Sequence, residues 1–209
     1  FIRITPAMPM ADLTNTVTVG PVASLGRRRE LGLNGDKAVL IALGGIDHHL
    51  PVDHWPRLPG VRWLVAEHWQ CTHPDAIPYE RFGLSFTDLL CSADAIVTKP
   101  GYGTFTEAAC NGTPVLYQRR ADWPEQDCLI DWLHDHGRCR EIAAHESHFF
   151  PDTFGRFSRI GIHLKNGDNG RTTWTDLGND SFNTLYANKF FFKGLYDRRF
   201  YLRRCGSWH

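Results

Sequence analysis

The chain has no excess of charge of either sign: 23 Lys and Arg stand against 23 Asp and Glu. A balanced surface has no field to gather a polyanion, so bulk electrostatics gives no case for nucleic acid or an anionic membrane as partner. Long apolar runs are also missing. No stretch reaches the about 18–20 residues that a membrane-spanning helix requires, and no signal-peptide pattern is visible within these residues. The six cysteines (Cys71, Cys91, Cys110, Cys128, Cys139 and Cys205) never fall into CxxC or another metal-binding spacing. Several sit in apolar helical contexts, where a reduced core thiol is the ordinary reading, and this favours a cytoplasmic setting. Internal repeats and low-complexity linkers are absent as well. The 209 residues suffice for one good hydrophobic core with an appended tail.

What is present is concentrated in residues 97–126, VTKPGYGTFTEAACNGTPVLYQRRADWPEQ. The apolar run Ala95–Thr98 predicts a buried strand, which Lys99-Pro100-Gly101 stops. Gly101-Tyr102-Gly103-Thr104 opens an Ala-rich helix predicted over residues 105–110, and Asn111-Gly112 has the form of a C-terminal cap. A helix start presents unpaired N–H groups and a partial positive charge, and two glycines let a diphosphate come close to both. The order strand, glycine turn, helix, glycine, strand, acid-amide pair describes a pocket for an anionic nucleotide. A lone GxG would be equally at home in any α/β unit.

Together, KPGYGTFTEA at residues 99–108, Gly112-Thr113-Pro114 and Glu125-Gln126 resemble the donor-binding signature of nucleotide-sugar glycosyltransferases with the GT-B fold. The likeness is strongest to the family 28 C-terminal domain and spans residues 36–142. The resemblance implies that Gly101, Tyr102, Gly103 and Thr104 hold the donor diphosphate through backbone N–H groups and the threonine hydroxyl. Gly44 and Gly45, in the loop after the first strand of the domain, would face the same phosphates, with Lys99 as a further phosphate contact. Glu107 would accept hydrogen bonds from the ribose hydroxyls, as an ionised carboxylate can. Glu125 and Gln126 would bind hydroxyls of the transferred sugar; read without the resemblance, they are a polar helix cap after Trp123-Pro124. Ile77 and Phe82 would flank the base.

The rest of the first 147 residues fits an α/β, Rossmann-like, doubly wound parallel sheet, which the resemblance implies is one half of a GT-B enzyme. KAVLIAL, residues 37–43, is a continuous apolar run suited to a parallel strand buried on both faces. Residues 61–66 predict a second strand, and Phe86–Ser92 a short helix. Such alternation places a ligand at the C-terminal ends of the strands. Residues 18–25, TVGPVASL, resemble the connector between the halves of these transferases. The expected division is therefore 1–35 as the end of an N-terminal domain with the connector, 36–147 as the donor-binding domain, and 148–209 as a divergent tail. That tail gains Phe, Asn and Lys, and reads either as a strand-rich extension or as out-of-frame sequence.

One rival site is a cluster of potential metal ligands, Asp47, His48, His49, Asp53 and His54, whose spacing matches no zinc motif and which reads as a solvated loop. His134 and His136 read as a helix end before Gly137. The expected activity is inverting transfer of a hexose from a UDP-sugar, UDP-N-acetylglucosamine by resemblance, with no metal or other cofactor required. The acceptor and the catalytic base are expected from an N-terminal domain or a partner subunit, which would also supply any peripheral membrane association. A split-enzyme donor subunit and a GT-B-fold sugar-nucleotide epimerase are the alternatives.

Overall fold

The computed structural model describes residues 1–44, 50–121, 123–142 and 201–202. In chain order the elements are β1 (Ile2–Ile4), β2 (Val17–Val19), β3 (Val22–Ala23), β4 (Lys37–Ile41), β5 (Val61–Val65), β6 (Ala76–Pro78), α1 (Phe86–Ser92), β7 (Ala95–Thr98), α2 (Tyr102–Asn111), β8 (Val115–Tyr117), α3 (Gln126–His136), β9 (Cys139–Glu141) and β10 (Tyr201–Leu202). β1 and β2 form a small parallel pair, and β10 lies antiparallel to β3. Apart from β10, the tail beyond residue 142 lies outside the described residues.

The centre is a six-stranded sheet in the order β6-β5-β4-β7-β8-β9, parallel throughout. Counted from β4, this is 3-2-1-4-5-6, the order of a Rossmann-like sheet, so the expected fold class is the observed one. The chain steps outward from β4 to β6, then returns to β7 on the other side of β4. Right-handed crossovers put the connections of these two halves on opposite faces, and the core divides accordingly. Leu40, Leu64, Ile96 and Tyr117 meet α1, α2 and α3 through Leu89, Leu90, Phe105, Ala108, Leu129 and Leu133. Val39, Ile41, Trp63, Val65, Val97 and Leu116 meet Leu50, Val52 and Trp55 on the other face. A 3-10 turn at Val52–His54 and the edge-to-face pair Trp55–Trp63, centroids 4.9 Å apart, do there what a helix does elsewhere.

This explains why β4 reads as an unbroken apolar run. Its even residues face one cluster and its odd residues the other, and each buried Leu, Ile or Val contributes about 1.5–3 kcal/mol by leaving water. β4 ends at Ile41, two residues short of the apolar run, but the ladder continues for one bond, Ala42 N–H to the Val97 carbonyl at 3.0 Å.

The segment before β4 is laced to the helices by side chains. Asn111 of α2 accepts from the Gly26 N–H at 2.9 Å and donates to the Ser24 carbonyl at 3.0 Å. Asp88 and Ser92 of α1 accept from the N–H groups of Arg27 and Arg29 at 2.7 and 2.8 Å. Gly26 packs so closely that a Cβ there would lie 2.1 Å from the Thr87 carbonyl oxygen, so only glycine fits.

Candidate donor-binding site

The strand order reverses between β4 and β7, and the ends of these two strands open the crevice where ligands of such sheets bind. Three segments meet at that edge: residues 42–44 after β4, Lys99 to Gly101, and the residues from Gln118 that follow β8. The Gln118 N–H bonds the Thr98 carbonyl at 3.1 Å, which holds the third segment beside the second.

α2 begins at Tyr102, so the glycine turn is itself the first turn of the helix, three residues earlier than the sequence pattern indicates. Tyr, Gly and Thr are weak helix formers, and the packing of Phe105 and Ala108 below extends the helix over them. Its far end is a double cap: Gly112, at φ +67°, donates to Ala109 at 3.1 Å and Thr113 donates to Ala108 at 2.9 Å.

The near end has no such closure. Gly101 is extended at φ −168°, and no side chain caps the helix. The first helical bond runs from Phe105 to Gly101, which leaves the N–H groups of Tyr102, Gly103 and Thr104 without intrahelical partners. Neither glycine is there for backbone strain. A Cβ on Gly103 would meet nothing within 4 Å, and one on Gly101 only the Lys99 carbonyl at 3.9 Å. Their effect is to keep the helix start clear of side chains. Glu107, partly exposed, lies one turn further along the same helix face as Gly103 and Thr104, opposite the buried Phe105, Thr106 and Ala109.

The phenol of Tyr102 is committed elsewhere: it accepts from the Val22 N–H at 2.9 Å and donates to the Thr5 carbonyl at 3.2 Å. Only the backbone of this residue is open toward the crevice. Gly44 adopts φ +67° and turns its Cα toward Lys99, whose Nζ lies 3.6 Å from the position a Cβ would take. Partial burial, and secondly the charge of Arg120, hold the Lys99 ammonium below the ordinary lysine pKa. Gly45 lies outside the described residues, as do Asp47, His48 and His49. Asp53, from the same histidine-rich stretch, is engaged by the 71–73 loop: its carboxylate accepts from Thr72 N–H at 2.6 Å and His73 N–H at 2.9 Å. Among the described residues no three His, Cys, Asp or Glu side chains gather as metal ligands.

Glu125 caps α3 in helical conformation without a side-chain bond, and Gln126 is the first residue of that helix. The Gln126 amide is occupied at both ends by the Arg120 backbone, accepting from its N–H at 3.0 Å and donating to its carbonyl at 2.8 Å. Gln126 therefore closes its own loop, and of the acid-amide pair it is Glu125 that retains an open polar group. Ile77 lies in the middle of edge strand β6 and Phe82 ends the 3-10 turn that follows, both packed against the helix-side core. β6 is two strands out from β4 in the sheet. α3 ends at His136 before Gly137, as the sequence indicates. The five described cysteines are half-buried rather than fully buried, with Cys71, Cys128 and Cys139 packed against the edges of the core.

One residue whose charge acts on Lys99 was not legible as a candidate: Arg120. The signal existed, since a basic pair directly after a strand of a parallel sheet falls at the ligand edge, but either arginine reads equally well as a solvated charge.

No family model matches the chain, and no curated protein does. Among solved structures it is similar to the glycotransferase of kitacinnamycin, at 23% identity and a TM-score of 0.44, over 61% of this chain and 36% of that one. It is also similar to the glycosyltransferase SnogD from Streptomyces nogalater, at 15% identity and a TM-score of 0.43, over 74% of this chain and 47% of that one. The chain thus spans less than half the length of either enzyme.

Proposed function

We propose that this chain is the donor-binding part of a glycosyltransferase, a hexosyltransferase that takes its sugar from a uridine diphosphate carrier, in the first instance UDP-N-acetylglucosamine. The observation that carries the reading is the open start of α2: two glycines that neither φ nor packing demands, at the reversal point of the sheet, beside Gly44 and Lys99. Backbone N–H groups and the helix dipole there suit a diphosphate. Glu107, one turn along, takes the ribose hydroxyls in this reading, and Glu125 a hydroxyl of the sugar.

In this reading the anomeric carbon is attacked by an acceptor hydroxyl, its bond to the diphosphate oxygen breaks, and the nucleoside diphosphate departs. Charge gathers on the leaving oxygen, and the amides of residues 102–104 with the Lys99 ammonium stabilise it. Glu125 orients the sugar while Gln126 holds the loop that carries it. The acceptor and its general base come from a further domain or subunit.

Calorimetric titration with UDP and 2′-deoxy-UDP, on the natural chain and on Glu107→Ala, tests the reading. Binding of UDP that exceeds binding of the deoxy analogue, with the difference lost in the variant, is the expected result. A folded chain that binds neither nucleotide, or that does not distinguish them, would overturn it.

A further inference from the structure

The two arginines after β8 have opposite surroundings. Arg119 is paired with the carboxylates of Asp127 and Glu141. Arg120 pairs with no carboxylate among the described residues; its guanidinium carbon instead sits 4.5 Å from the centre of the Trp123 ring. A ring contact occupies a face of the guanidinium and leaves its N–H donors, which lie in the plane, available for an oxyanion. The backbone of Arg120 is fixed from both sides by the Gln126 amide, so the point from which this charge projects is held in place. On the adjoining loop, held beside this one by the Gln118–Thr98 bond, stands Lys99, which likewise pairs with no carboxylate among the described residues and lies against Gly44, close enough for the Arg120 charge to act on it. Two cations held on adjoining loops repel each other, and partial burial makes that repulsion costlier than it would be in water. An anion between them relieves it.

We infer that Arg120 is a ligand-binding residue of this site: with Lys99 it grips the outer phosphate of a diphosphate, and it thereby makes the site selective for nucleoside diphosphates over monophosphates. This rests on the donor-binding reading above and adds to it a residue and a basis for selectivity. The grip is electrostatic and bidentate in character, since guanidinium presents a planar fork to phosphate oxygens. Trp123 acts as the shelf that orients the fork.

The test is titration of the whole chain with UDP, UMP and inorganic pyrophosphate, on the natural protein, Arg120→Ala, Arg120→Lys and Trp123→Ala. Arg120→Ala keeps the loop bonds, which run to the backbone of residue 120, and its thermal midpoint serves as the control for folding. Affinity for UDP and for pyrophosphate should fall about tenfold or more in Arg120→Ala, with UMP changed less than about twofold. Arg120→Lys should recover part of the loss, and Trp123→Ala should give an intermediate value. Equal loss for UDP and UMP, or none for either, would overturn the inference and leave the donor-binding reading intact. Arg120-dependent binding of pyrophosphate with no tighter binding of UDP would uphold the grip and remove the nucleotide reading. A natural chain that binds none of the three removes both.

Discussion

The phenol oxygen of Tyr102 accepts a hydrogen bond from the backbone N–H of Val22 at 2.9 Å, joining the first residue of α2 to β3. The same oxygen donates to Thr5 at 3.2 Å, and the buried Thr106 hydroxyl lies 3.3 Å from the Val22 carbonyl. The helix that presents its open start to the crevice is thus braced by the segment leading into the sheet. Position of the site and attachment of the chain's first residues are one arrangement.

Tyr102→Phe removes that brace without touching the backbone amides of the site. It leaves the partly buried Val22 N–H unpaired, at a cost of about 1–2 kcal/mol in urea unfolding. UDP affinity should change less than threefold or so, because the phenol is turned to Val22 and Thr5 and the donor-binding proposal uses only the backbone of residue 102. A tenfold or larger loss of UDP binding in a folded variant would show that the phenol acts on the ligand.

Gly103→Ala and Gly26→Ala should separate function from stability. Alanine at position 103 meets no atom within 4 Å and removes the helix penalty of glycine, so stability should stay or rise by up to about 1 kcal/mol. If the donor-binding proposal holds, UDP binding weakens at least about tenfold, since a methyl group would stand where that proposal puts the phosphate. Alanine at position 26 meets the Thr87 carbonyl oxygen at 2.1 Å and should destabilise by about 1–3 kcal/mol. Parallel urea curves and titrations would show the crossed pattern.

Buried Asp75 gives the acid limb of the stability curve. Arg57 bonds both of its oxygens at 3.0 Å and Arg62 adds a contact at 3.1 Å. The Arg57 hydrogen bonds, foremost, hold its carboxyl below the ordinary aspartate value despite burial. A pKa lowered in the folded state stabilises above the unfolded value of 3.8 and is lost as pH falls through the folded one. Thermal midpoints should therefore drop below about pH 4, and the drop should be smaller in Asp75→Asn, which is itself destabilised near neutrality by about 2–4 kcal/mol. An unchanged acid limb in that variant would assign it to other carboxylates.

Cys71 and Cys139 should be slow to alkylate. Desolvation, foremost, pushes the thiols of both up to about 11. The thiolate fraction near pH 8 is then roughly a hundredfold below that of an ordinary thiol, partly offset by the higher nucleophilicity of a more basic sulfur. Site-resolved mass spectrometry should find both labelled at least about tenfold slower than in the urea-unfolded chain. The sign for stability follows: a raised thiol value favours the folded chain up to the unfolded value near 9.0, and the advantage is lost as pH rises toward about 11.

Much of the sheet is local in origin and therefore readable from the chain. A strand buried on both faces has to be continuously apolar, which gave away β4 and β7, and a left-handed cap calls for glycine, which marked the end of α2 at Gly112. Strand direction follows from the intervening helices, and so does the ligand edge. Boundaries at the helix start were less legible, because packing of Phe105 and Ala108 carries helix over residues of weak propensity.

The sequence by itself determined a parallel α/β sheet and a glycine-opened helix start, since both depend on residue type at short spacing. Tertiary structure alone decided how side chains far apart in sequence divide their polar groups. It turned the Tyr102 phenol to Val22 and Thr5, and it spent the Gln126 amide on the Arg120 backbone. It gave carboxylates to Arg119 and an aromatic ring to Arg120. Hydrogen bonds and charges act over a few ångströms, and which groups come within that range is set by the folded path of the chain.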